Sequence, residues 1–309
     1  MPLLDQLESS QSSIENPRRS NIFRLRGETQ AGVLASCANP ECASGWLHLL
    51  RSRSGPVFEG GWTCSASCTL ARMESAVRRE MDGHAGDAGG HAAALAHRHR
   101  VPLGLVLLEQ GWINQEQLRK ALTAQRQAGQ GRLGAWLMRQ GAVSEQQVTR
   151  ALGLQWNCPV LQVDTLDCEG MPATLPRLFI EAYGAVPLRV AAGKILYLGF
   201  EERLDPVVAL SLERMLGLQV EMGLIPGSQF AAVQQRLVES AFPRTELIES
   251  ASEAPLARVL ARTLERRKPA AARLVRMHDC LWLRMWHKQP QAPTESAVLE
   301  DVICSLVMI

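Results

Sequence analysis

Apolar positions recur at helical spacing twice in the chain. Residues 103–125 read LGLVLLEQGWINQEQLRKALTAQ, and residues 133–155 read LGAWLMRQGAVSEQQVTRALGLQ. Leu103/Leu133, Gly104/Gly134, Leu107/Leu137, Gly111/Gly141, Leu122/Leu152 and Gln125/Gln155 coincide. Self-similarity of this kind marks a supersecondary unit that buries its apolar face against its own copy. In each copy a Gly follows a short apolar run, where a left-handed residue ends a helix. Asn114 with Gln117, and Ser144 with Gln147, then form capping-box patterns. Each copy predicts a short helix, a Gly turn and a longer helix.

Downstream the period changes. Ala185–Val190 and Lys194–Phe200 are strand-like runs around Ala191-Ala192-Gly193, a hairpin signal. Asp205 precedes a helical stretch, Pro206–Leu216, with Pro in its first turn and Gly217 at its end. Leu218–Leu224 predicts a third strand, and Ser228 is placed to cap a helix through Val238. Residues 156–240 thus predict a small α/β sandwich. Residues 243–254 read as a linker and 255–268 as a helix stopping before Pro269. Ala272–Met277 and Cys280–His287 predict a hairpin, and Ser296–Val307 a terminal helix.

Upstream, residues 1–30 are polar and aperiodic, the pattern of a disordered arm. Residues 31–82 hold a cysteine cluster. Residues 83–100 are rich in Gly and His and predict a flexible linker; His84, His91, His97 and His99 lack a framing set of Cys or carboxylates. The expected divisions are therefore 1–30, 31–82, 83–100, 101–155, 156–240 and 254–309. The fold class is α+β multidomain: a small metal-stapled finger, a tandem helical repeat, a small α/β sandwich and a C-terminal helix plus β-hairpin.

Composition narrows the functions. The 309 residues suit two or three domains of roughly 100–200 residues. With 46% apolar and 21% charged residues the chain can bury a core. Lys+Arg exceed Asp+Glu by only two, which excludes a uniformly basic nucleic-acid binder. No apolar run approaches the roughly 20 residues that span a bilayer. The opening MPLLDQLESSQSS has no basic-then-apolar leader pattern, so a cytoplasmic location is expected.

Four of the eight cysteines are grouped: Cys37-x4-Cys42 and Cys64-x3-Cys68. Structural zinc takes four thiolates, usually as two short-spaced pairs. The second pair is spaced i,i+4, which on a helix puts both thiols on one face. A knuckle, a hairpin over Pro56–Trp62 and a following helix make a treble-clef plan. It resembles small MYM-like zinc fingers. Four protein ligands leave no open position, so the expected Zn2+ is structural. Cys158, Cys168, Cys280 and Cys304 lie among apolar neighbours and read as ordinary buried thiols.

The tandem repeat resembles the MshEN domain, the N-terminal domain of type II secretion and type IV pilus assembly ATPases. The family pattern is Arg-Leu-Gly, apolar pairs around a Gly, two further leucines and a closing Gln, given twice. Repeat two begins Arg132-Leu133-Gly134 and closes on Gln155; repeat one has Leu103, Gly104, Leu107 and Gln125, with Pro102 where the family has Arg. PLRVAAGKILYLGF resembles the α/β half that follows in those ATPases. The resemblance implies binding of cyclic di-GMP by Leu103, Gly104, Leu107, Gln125, Arg132, Leu133, Gly134, Leu137 and Gln155. Arg132 would reach guanine O6/N7 or phosphate with its planar fork. Gly would let backbone approach the ligand, and the leucines would offer apolar contact. The same leucines singly suit core packing. Pro102 removes one such arginine, and the spacer Arg126–Gly131 is one residue longer than the family's.

The ATPase half is missing from the pattern. The Gly-Lys pair, Gly193-Lys194, is followed by Ile195, which no P-loop allows. No catalytic constellation stands out, so no enzyme activity is expected. The expected function is a regulatory or adaptor protein docking on secretion or pilus machinery. The alternative is a zinc-finger nucleic-acid binder using residues 254–290, where nine Lys/Arg face Glu265 and Asp279, with Trp282 and Trp286 among them. Leu281, Leu283 and Met285 favour a core hairpin there.

Overall fold

A computed structural model describes residues 36–43, 55–82, 100–163, 170–288 and 299–306. The expected arm, the 83–99 part of the linker with its histidines, and Cys168 lie outside the described residues. The cysteine-rich segment forms a two-residue hairpin, β1 (Val57–Phe58) and β2 (Gly61–Trp62), then α1 (Ala66–Asp82). Glu59 and Gly60 turn it at φ 49° and 75°, the left-handed pair that a tight hairpin requires. Along α1, Met73, Ala76, Val77 and Glu80 are buried, an i, i+3, i+4, i+7 stripe.

The repeats form α2 (Leu103–Glu109), α3 (Gln115–Ala128), α4 (Leu133–Arg139) and α5 (Glu145–Trp156). Both capping boxes are closed: Asn114 and Ser144 each exchange bonds with the Gln three residues on. Gly111 and Gly141 turn the chain at φ 68° and 66°. The short helices swap partners, α2 packing on α5 and α4 on α3. Val106, Leu107, Ile113, Ala121, Leu137, Val143, Val148 and Ala151 fill the core between them.

The α/β half contains a 3-10 turn (Met171–Ala173), α6 (Arg177–Tyr183), β3 (Ala185–Ala191), β4 (Ile195–Phe200), α7 (Pro206–Leu216), β5 (Gln219–Leu224) and α8 (Gly227–Val238). β3 and β4 form the expected hairpin, and β4 pairs in parallel with β5 through the crossover helix α7. Asp205 caps α7 by accepting from the Val207 and Val208 N–H groups. Pro226, not Ser228, takes the cap position of α8; Ser228 sits inside its first turn.

The C-terminal region departs most from expectation. The expected linker at 243–254 contains strand β6 (Arg244–Ser250), followed by α9 (Glu253–Arg267), β7 (Ala271–Met277) and β8 (Cys280–Trp286). The expected terminal helix is strand β9 (Leu299–Leu306). The sheet order is β6-β9-β8-β7, with β6 and β9 parallel. β9 is buried on both faces, Val302 and Cys304 on one and Ile303 on the other, so its apolar run shows no period-2 alternation.

The cysteine-rich segment does not have a core of its own. Phe58, Met73, Ala76 and Val77 pack with Leu256, Leu260 and Leu264 of α9 and with Leu281, Leu283, Met285 and Val302 of the sheet. The opposite sheet face, with Val275, Met277, Trp282 and Ile303, joins the core of the α/β half. The described residues all fall within one compact unit, 31–309. The fold is mixed α+β, with three small sheets among the described residues.

Candidate functional site

The Sγ atoms of Cys37, Cys42, Cys64 and Cys68 all lie within 4.8 Å of one another. Cys42–Cys64 is 3.5 Å and Cys64–Cys68 is 3.7 Å. A tetrahedron of sulfurs about 2.3 Å from zinc has edges of about 3.8 Å, so the set is spaced to hold a metal ion. Two elements place it. The knuckle closes through Cys42 N–H to the Asn39 carbonyl at 3.1 Å and hangs on β2 through Ala38 N–H to the Trp62 carbonyl at 2.8 Å. Cys64 lies just before α1 and Cys68 in its first turn, where Ser65 Oγ accepts from Cys68 N–H at 3.3 Å. Only Cys68 is therefore helical; the x3 spacing spans a helix start, not a helix face. Asn39 Nδ2 donates to Cys68 Sγ at 3.5 Å, the kind of outer bond that orients a ligand. Burial pushes the Cys37 thiol up to about 12, so a bare site keeps that sulfur protonated at neutral pH. A bound cation would reverse this.

The metal loop is anchored to the rest of the fold. Thr63 Oγ1 lies 2.8 Å from Thr69 Oγ1, and Thr69 Oγ1 donates to the Glu265 carboxylate of α9. At the far end of α1, buried Glu80 accepts from Arg79, Arg214 and the Arg276 N–H. Burial raises its carboxyl, but Arg214, the Arg276 N–H and Arg79 more than offset this and leave it below the usual carboxylate range.

The repeat residues expected to meet a ligand fall into three groups. Leu107 and Leu137 are fully buried in the repeat core and face no ligand in this arrangement. Gly104 and Gly134 are buried as well, and the space beside them is filled by protein. A Cβ on Gly104 would lie 2.8 Å from Leu118 Cδ1 and 3.2 Å from Leu133 Cδ2; one on Gly134 would lie 2.8 Å from Val148 Cγ1. These glycines let helices cross closely, a reason the sequence did not reveal. Leu103 and Leu133 are half-buried, next to the opposite repeat's glycine.

The two glutamines play matched roles. Gln125 Nε2 donates to the Gly131 carbonyl at 2.8 Å, and Gln155 Nε2 to the Val101 carbonyl at 2.7 Å. Each amide thus holds the strand of chain that enters a short helix, Gln155 across 54 residues. Arg132 and Pro102 occupy the cap positions of α4 and α2. The Arg132 side chain is 72% exposed and pairs with Glu202 of the α/β half. Arg100 does not replace the missing arginine, because its guanidinium stacks 3.1 Å above the Trp156 ring.

The basic C-terminal stretch is largely engaged. Arg267 pairs with Glu246 and Glu300, Arg273 donates to the Arg214 and Met215 carbonyls, and Arg276 to Met81 and His278. Trp282 and Arg284 are fully buried, so neither offers a face to a base. Exposed basic residues remain on α9 at Arg258, Arg262 and Arg266.

No protein-family model matches the sequence, and no curated protein matches it. Solved structures similar to the chain include MshE with cdg, 26% identical, at a TM-score of 0.36 over 45% of this chain and 99% of that one. The N-terminal domain of XpsE is similar in two crystal forms. One is 20% identical at a TM-score of 0.31, over 43% of this chain and 92% of that one; the other is 23% identical at 0.25, over 42% and 90%. Superpositions this loose transfer no residue's role. Among the described residues no helix is long and apolar enough to cross a membrane.

Proposed function

We propose that the chain is a non-enzymatic regulatory adaptor. Its repeats bind cyclic di-GMP, its four cysteines hold a structural Zn2+, and it docks on type II secretion or type IV pilus machinery. The observation that carries the ligand reading is Arg132. It is an exposed guanidinium at the start of α4, beside half-buried Leu133 and in a repeat whose closing Gln fixes the opposite entry segment. In the folded chain its charge is met by Glu202 of the α/β half, at the surface and not in a core. Its planar fork suits a phosphate or the guanine O6/N7 edge, and Leu103 and Leu133 offer apolar surface beside it. The buried leucines and glycines set the spacing of the two repeats. For the metal, four closed thiolate positions suit Zn2+ and leave no site for substrate.

Calorimetric titration of the full chain with cyclic di-GMP tests the ligand reading. The natural chain is expected to bind, and Arg132→Ala to lose binding. Pro102→Arg restores a charge-assisted contact worth roughly 1.5–3 kcal/mol, about ten- to a hundredfold in affinity. No binding by the natural chain or by Pro102→Arg would overturn it. The nucleic-acid reading has less support, since Trp282 is buried and much of the basic stretch is paired within the fold.

A further inference from the structure

The partner that Arg132 has in the folded chain lies outside the repeats. Glu202 sits in the bend between β4 and α7, and its carboxylate pairs with the Arg132 guanidinium. This is a polar tie between the second repeat and the α/β half. In another, Glu145 at the start of α5 accepts the Ser228 N–H of α8 at 2.8 Å and the Ser228 hydroxyl. Glu201 lies at the same junction: a Cβ built on Gly227 would be 2.7 Å from its Oε1 and 3.2 Å from Glu145 Oε1. Glu145 and Glu201 therefore meet beside Gly227, while Glu202, next to Glu201 in sequence, pairs with Arg132. Glu145 is spent on the amide at a helix start, where negative charge is favoured. Glu202 is set against the arginine itself.

A carboxylate and a phosphate compete for the same guanidinium fork. We infer that Glu202 is a built-in competitor for the Arg132 site: a phosphate-bearing ligand must displace it, and in doing so releases one tie between the repeats and the α/β half. This rests on the reading that Arg132 meets the ligand. The energetics favour a switch over a lock. Arg132 is largely exposed, and exposed pairs are weak, so a ligand with several contacts can break this one. By linkage, whatever breaks the pair without the ligand must strengthen ligand binding.

The test is calorimetry with cyclic di-GMP at fixed salt on the full chain, comparing Glu202→Gln, Glu201→Gln and Arg132→Ala. Glu202→Gln is expected to bind about two- to fivefold tighter than the natural chain. Glu201→Gln makes the same charge change next door and is expected to gain less. In the Arg132→Ala background, Glu202→Gln gains nothing. Ligand should also raise amide exchange at residues 201–204. Equal affinities for the natural chain and Glu202→Gln, with binding still lost in Arg132→Ala, would overturn the competition and leave the site standing. An equal gain from Glu201→Gln would also overturn it, since only the general field would then matter. No binding by either the natural chain or Glu202→Gln would overturn both the competition and the site.

Discussion

Asp301→Ala probes the contact that joins the C-terminal sheet to the α/β half. Arg284 Nε and Nη2 donate to the two Asp301 oxygens at 2.7 and 2.8 Å, and Trp282 Nε1 donates to Oδ1 at 2.8 Å. The remaining Arg284 nitrogen donates to the Ala173 and Thr174 carbonyls at 2.6 and 3.2 Å. Both charged side chains are 0% exposed. Breaking a buried pair from one side costs about 3–5 kcal/mol, because the other charge stays buried alone. The indole N–H loses its acceptor too, for about 1–3 kcal/mol more, only partly additive. A loss of about 4–6 kcal/mol is expected, a large share of the roughly 5–15 kcal/mol that holds a typical domain. Urea unfolding followed by Trp fluorescence measures it. Asp301→Asn, which keeps an acceptor for Trp282, should lose less. The double variant Arg284→Met, Asp301→Leu should recover much of the loss, since no charge is then stranded. A loss below about 1 kcal/mol for Asp301→Ala would show that water or another group reaches Arg284, and would refute the closed pin.

Purified chain should carry about one Zn2+ per molecule by metal analysis, and Cys64→Ser should lose it. Because Met73, Ala76 and Val77 pack against α9 and the sheet, amide exchange should rise at residues 36–43 and early in α1 while residues 73–82 stay protected. Exchange spreading evenly along α1 would refute the shared core. Glu80→Gln should destabilise at neutral pH by about 1 kcal/mol, since the charge-assisted bonds are lost but Arg79 and Arg214 are half exposed and water can take up their donors. The folded Glu80 carboxyl lies below its ordinary 4.5, so its contribution is present above that pH and lost as pH falls through the folded value. The gap between natural chain and variant should therefore close on acidification, and a gap constant with pH would refute the role of the charge.

Where local chemistry decided the outcome, the sequence was a sufficient guide. The capping boxes, Gly111 and Gly141, the Asp205 cap and the Ala192–Gly193 turn are short-range devices, and each appears where its residues predict it. The cysteine spacing likewise led to four gathered sulfurs. What was not legible depends on partners distant in sequence. β9 has no alternation because both of its faces are buried, so its run reads equally as helix. RTELIES looked like a linker because an edge strand buries little. The finger looked autonomous because nothing in residues 31–82 announces that Met73 and Val77 will meet Leu260 and Leu264. The sequence does not show why positions 104 and 134 are Gly: a glycine marks where a side chain is forbidden, and here Leu118 and Val148 lie in that space.

The two repeats share a plan yet are used differently, and a single position shows why. Leu152 and Trp156 on α5 pack against the core of the α/β half, and Leu152 touches the repeat core as well. The corresponding positions on α3 are Leu122 and Arg126. Leu122 is half-buried like Leu152, but Arg126 is exposed. A cation in place of an indole keeps that face of α3 in water, because burying an unpaired charge costs far more than an aliphatic neighbour returns. The indole also takes Arg100 onto its ring, which fixes the segment leading into α2. A near-symmetric pair of helical units thus becomes an asymmetric module, with one long helix committed to the α/β half. On that committed side Arg132 and Glu145 meet Glu202 and Ser228.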